Sequence, residues 1–112
     1  MANEVKTSTH FESRFKRLSK KFASLKQEVD VLMEELVENP TRGVPLGSGL
    51  YKIRLASRSK GGGKSGGFRI VTYLVDERED GTDVYLVAVF DKSEESSIKK
   101  PTLLKIVKRL FE

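Results

Sequence analysis

Lys52 and Arg54 stand two residues apart in Leu50-Tyr51-Lys52-Ile53-Arg54-Leu55, and Arg69 opens the next apolar run, Phe68 to Val75. Alternation along a strand puts Tyr51, Ile53 and Leu55 on one face and Lys52, Arg54 and Ala56 on the other. A hairpin across the glycine-rich connection would bring Lys52, Arg54 and Arg69 to one sheet face. Like charges on neighbouring strand positions repel, so such a density calls for a bound anion. Arginine grips a phosphate with two parallel hydrogen bonds, and positioned donors stabilise the charge a phosphodiester gains in its transition state. Arg69 is read here as an exposed strand charge whose loss would leave the fold stable.

The same cations belong to a wider asymmetry. Seven of the 21 Lys+Arg and none of the 16 Asp+Glu lie between Glu38 and Asp76, so the net +5 resides in that third of the chain. The seven are Arg42, Lys52, Arg54, Arg58, Lys60, Lys64 and Arg69. A field concentrated in this way attracts a polyanion, most commonly nucleic acid. Arg58, Lys60 and Lys64 are the candidates for following its phosphates. Gly61-Gly62-Gly63-Lys64-Ser65 is no nucleotide-binding P-loop, because Arg58 holds the position of the first glycine and a strand, not a helix, follows.

Other chemistry is thinly represented. The chain has no cysteine and one histidine, His10, which excludes disulfides, thiolate metal sites and most His-based catalysis. Asp76, Glu77, Glu79, Asp80 and Asp83 read as a solvated turn rather than a metal site. Lys52 or Lys92 could act as a base if neighbouring cations lowered its pKa; the phenols of Tyr51, Tyr73 and Tyr85 are further candidates. The sequence implies no metal and no cofactor.

The elements that must hold these residues can also be read. At 112 residues with 38% hydrophobic content, one domain with a small core is expected. Residues Met1 to His10 lack a signal-peptide core and no apolar stretch spans a bilayer, so a cytoplasmic protein is expected. Phe11, Phe15, Leu18, Phe22, Leu25, Val29, Leu32 and Leu36 form one helical stripe. Capping-box spacings at Thr9/Glu12 and Ser24/Gln27 predict two helices with a break near Ala23; a single heptad helix is the alternative. Asn39-Pro40 closes the helical region, and Thr41 to Gly49 reads as loop. Strands are predicted over Leu50–Ser57, Phe68–Val75 and Asp83–Asp91, the last two joined at Asp80-Gly81. A helix follows Pro101. The pattern is an α+β domain with an antiparallel sheet.

Several of these features coincide in one family. Asn39-Pro40, Leu50-Tyr51-Lys52-Ile53-Arg54-Leu55-Ala56, Gly63-Lys64-Ser65-Gly66-Gly67-Phe68-Arg69, and Tyr85-Leu86-Val87 leading to Phe90-Asp91-Lys92-Ser93-Glu94 resemble the RelE/ParE superfamily of bacterial type II toxin–antitoxin toxins. The RelE-type, HigB-like branch is the nearest in appearance. The resemblance spans about Glu4 to Leu110 and promotes Glu4–Ser8 to a first strand. It implies a single RelE-like domain over residues 1–112, of order β-α-α-β-β-β-α with about four strands.

The resemblance further implies a metal-independent endoribonuclease that cuts mRNA in the ribosomal 30S A site through the RNA's own 2′-hydroxyl. It implies a cognate antitoxin, and a toxin–antitoxin complex that binds operator DNA. By motif match, Lys52 and Arg54 take the place of the strand-borne basic pair, Arg69 that of the arginine opening the next strand, and Lys92 that of the basic residue after the last strand. Ser93 and Lys99 stand where some relatives carry a catalytic arginine and tyrosine. The alternative is a ParE-like toxin that poisons DNA gyrase without cutting RNA.

Overall fold

Ser8 ends the first strand and starts the first helix. Its Oγ accepts the amide of Phe11 at 2.9 Å while its hydroxyl donates to the carbonyl of Val87 at 2.8 Å. One side chain thus caps a helix and fastens it to a distant strand. The expected cap at Thr9 is displaced by one residue because Ser8 satisfies both groups. The computed structural model describes residues 3–60, 67–78, 81–92 and 98–111. Its elements are β1 (Glu4–Thr7), α1 (Thr9–Lys21), α2 (Leu25–Glu38), β2 (Val44–Gly47), β3 (Leu50–Leu55), a 3-10 turn (Arg58–Lys60), β4 (Phe68–Arg78), β5 (Gly81–Asp91) and α3 (Lys100–Leu110).

The helical stripe does break where the second capping signal fell, giving a helical hairpin rather than one heptad rod. Ser24 occupies the N-cap of α2, yet makes no capping bond to its own helix amides. Its hydroxyl instead donates to Glu28 at 3.1 Å and accepts the amide of Ser59 at 3.0 Å. The break therefore doubles as an anchor for the turn after β3.

The sheet has five strands in the order β1-β5-β4-β3-β2. β2, β3, β4 and β5 pair antiparallel with their neighbours, and β1 joins β5 in parallel. The expectation of about four strands omitted β2, which lies in the stretch read as loop. A Val-Pro-Leu-Gly strand with one paired edge and a register shift after Pro45 shows neither alternation nor β-branched enrichment. The Asp80-Gly81 turn falls partly outside the described residues, but the β4–β5 hairpin it predicted is present, with Arg78 opposite Gly81.

Two cores sandwich the sheet. Phe11 and Leu18 of α1 and Leu25, Val29, Leu32 and Leu36 of α2 pack on Ile53, Leu55, Phe68, Ile70, Val84, Leu86 and Val89. On the other face Leu103 and Val107 of α3 cover Leu50, Val71, Val87, Ala88 and Phe90. β5 is apolar on both faces for that reason. Each side chain fully buried in this way contributes about 1.5–3 kcal/mol. At the far end of the α3 face Arg54 is exposed. Among the described residues, no helix is long and apolar enough to cross a membrane.

Candidate nucleic-acid interface

The β3–β4 register sets Arg54 directly opposite Arg69 and Lys52 opposite Val71; across the next ladder Arg69 faces Phe90. Directly opposed residues project to the same sheet face, so Lys52, Arg54 and Arg69 share the face that carries α3. Lys92 follows in the exposed turn just past β5, and its amide donates to Gly67 O at 3.4 Å. Three of the four cations expected to act together thus share one sheet face, with the Lys92 backbone beside them at the end of β5.

Gly67 makes this corner possible. A Cβ there would lie 2.1 Å from the carbonyl oxygen of Leu55, so only glycine lets the start of β4 close against the end of β3. Gly43 does the same beneath Lys52. Its φ is +108°, and a Cβ would meet the Lys52 carbonyl oxygen at 2.6 Å.

The two arginines differ sharply in environment. Arg54 is exposed, whereas Arg69 is 3% exposed. Arg69 is therefore not the surface charge expected from sequence: Phe90 and Arg54 flank it in the sheet, and its Nη1 donates to Phe68 O at 3.3 Å. Burial, then the neighbouring Arg54 charge, hold its pKa below the ordinary arginine value. Among the described residues, neither Lys52 nor Arg54 forms an ion pair. A buried guanidinium thus lies directly beside an exposed one.

Beside this corner lies a cavity of about 250 Å³ between the sheet and the start of α3. Leu46, Val71, Phe90, Ile98 and Leu103 make it apolar, and Lys52 and Lys100 line it too. It combines an apolar slot for a flat ring with cations for the phosphate beside it. Lys100 was not among the residues expected from sequence. One signal pointed to it: α3 begins Lys99-Lys100-Pro101 with no acid in its first turn and no side-chain cap, and cations at a helix N-terminus oppose the macrodipole.

The other expected phosphate contacts are placed elsewhere. Lys60 turns to the helical side of the sheet. There it pairs with Asp91, and its ammonium lies 5.4 Å and 5.2 Å from the rings of Phe22 and Phe68. Arg58 also serves α2: its amide donates to Glu28 at 2.8 Å and its Nη2 to Gln27 at 3.0 Å. The structure does not bring Arg58 and Lys60 to the Arg54–Arg69 corner. Lys64 and Ser93 lie outside the described residues.

No family model matches the chain. Among solved structures it is similar to the E. coli toxin RelE, determined as a doubly substituted mutant in the free state. The TM-score is 0.62 over 99% of this chain and 100% of that one, at 19% identity. The fold is RelE-like α+β, with the element order expected and one further strand.

Proposed function

We propose that this protein is the toxin of a type II toxin–antitoxin system, a RelE-type ribosome-dependent mRNA endoribonuclease of the HigB-like branch. The observation that carries the reading is the Arg54–Arg69 pair, one guanidinium exposed and one buried, beside an apolar slot lined by Lys52 and Lys100. The RelE-like fold supports it.

In this reading a base of the message enters the slot and the adjoining phosphate meets Arg54 and Arg69. The 2′-oxygen on the 5′ side attacks phosphorus while the bond to the 5′-oxygen breaks, leaving a 2′,3′-cyclic phosphate and a 5′-hydroxyl. The 2′-proton leaves to a base, and the departing 5′-oxygen gains a proton. Negative charge grows on the non-bridging oxygens, where fixed guanidinium donors stabilise it without reorganising. Lys52 and Lys92 hold the strand on either side. A preset cationic corner that holds the backbone in line for attack lets positioning supply much of the acceleration. The antitoxin covers this corner, and the complex binds operator DNA. The site of action is the 30S A site, in the cytoplasm.

The test is 5′-end mapping in cells after brief induction of the wild-type and Arg54→Gln proteins. New ends within translated codons, absent from the variant, are expected. DNA damage with intact transcripts would overturn the reading in favour of gyrase poisoning.

A further inference from the structure

A second, larger cavity of about 480 Å³ lies at the far end of the sheet, where α1 and the last turn of α3 approach β1 and β5. Its polar lining includes Thr9, His10, Ser13 and Arg14 of α1, Tyr85 of β5 and Arg109 of α3. The four α1 residues fall at i, i+1, i+4 and i+5, so they share one helix face. Two arginines, an imidazole and three hydroxyls brought together from three elements make a lining complementary to a phosphate.

This cleft is connected to the Arg54–Arg69 corner by charge. From residue 98 to residue 111 the chain has no acid, and Lys99, Lys100, Lys105, Lys108 and Arg109 are all exposed. α3 is therefore a cationic ridge about 16 Å long, with the slot at its N-terminal end and the cleft at its C-terminal end. Basic residues suit the last turn of any helix, but Lys99 and Lys100 at the first turn are placed against the dipole. A polyanion running along the ridge gives all five a common role.

We propose that the cleft between α1 and α3 is a second phosphate site, which takes a backbone phosphate of an RNA strand that follows α3 from the Arg54–Arg69 corner. That the polyanion is RNA rests on the function proposed above; that the cleft binds phosphate does not. The site lengthens the footprint by several nucleotides and holds the strand away from the reacting bond.

His10 is the chain's single histidine, so its ring protons report on the cleft without assignment ambiguity in proton NMR. The full chain is titrated with inorganic phosphate and, separately, with a short single-stranded oligouridylate. Both are expected to shift the His10 resonances saturably, the oligonucleotide at a concentration lower by about tenfold or more because it also occupies the ridge. Arg14→Gln/Arg109→Gln should abolish the phosphate-induced shift. The same variant should reduce the salt slope of oligonucleotide binding by about 0.7, because one fewer phosphate of a single strand is neutralised. Arg14→Lys/Arg109→Lys should retain the shift, which guards against mere loss of structure. Arg54→Gln should leave it unchanged.

Silence of His10 toward both anions, or an undiminished shift in the double Gln variant, overturns the site. A polyglutamate peptide acting at lower concentration than the oligonucleotide overturns the RNA assignment. A responsive His10 in a protein that cuts no transcript refutes the nuclease and leaves the cleft standing; cutting with a silent His10 refutes the cleft alone.

Discussion

Arg54 on β3 and Arg69 on β4 are direct cross-strand partners, and the second of them is 3% exposed. A cation whose pKa falls on folding costs stability wherever it is charged, and that cost disappears only as pH rises past its folded value. For Arg69 this lies far into alkali, since a guanidinium holds its proton throughout the ordinary pH range. At neutral pH the cost is present in full, and removing the Arg54 charge relieves the smaller part of it. Arg54→Gln should therefore stabilise the fold by a few tenths to about 1 kcal/mol while weakening RNA binding, a trade expected of a functional site. Thermal unfolding and a binding titration on one preparation check both halves; a lower Tm in Arg54→Gln would contradict the strain argument. Sulfate should raise the Tm of the wild type more than that of the variant.

The Lys60–Asp91 pair behaves differently, because both partners are sequestered, at 11% and 2% side-chain exposure. Breaking a buried pair leaves one uncompensated charge. Lys60→Met or Asp91→Leu should each cost about 3–5 kcal/mol. The double change Lys60→Met/Asp91→Leu should recover most of that loss, since Phe22 and Phe68 already offer apolar surroundings. Urea unfolding of all four proteins gives the coupling energy, and additive losses would rule the pair out.

At Gly67 the prediction is steric. An added methyl would meet the Leu55 carbonyl oxygen, so Gly67→Ala should destabilise by about 2 kcal/mol or more. It should also disturb Arg69, two residues on, and the hydrogen bond that the Gly67 carbonyl accepts from the Lys92 amide. Amide chemical shifts that change at both ends of the corner are the expected signature; a wild-type spectrum and Tm would show that the strands have room.

Thr72 offers a gain. It is 0% exposed, and its hydroxyl has no hydrogen-bond partner among the described residues. Valine has nearly the same shape without the polar atom. Thr72→Val should raise stability by about 1 kcal/mol without altering RNA binding, readable as a shift in the urea midpoint at constant slope.

Local signals in the sequence located the elements that obey a period. The alternation of Leu50 to Ala56 marked the strand and its cationic face, and the Ser24 spacing marked the break between the two helices. β2 escaped because an edge strand containing proline and glycine has no period to detect. The fate of Lys60 escaped for another reason. Asp91 is 31 positions away and Phe22 lies on a different element, so only the tertiary fold reveals that this lysine is structural. Arg69 looked exposed because its strand neighbours are ordinary, and its burial is a tertiary property that local spacing does not encode. The cleft at His10 and Arg109 joins the two ends of the chain, a juxtaposition that spacing does not encode.

The parallel pairing of β1 with β5 has a kinetic consequence. Asn3 and Thr82, 79 positions apart, are hydrogen-bonded, and Ser8 reaches Val87 over the same span. Contacts so distant in sequence must wait for loop closure and slow the search for the native state. A growing chain can form its helical hairpin and the β3–β4 ribbon early, yet its first strand stays undocked until β5 has been synthesised. The sheet is thus held incomplete until β5 is in place, however early its other elements form.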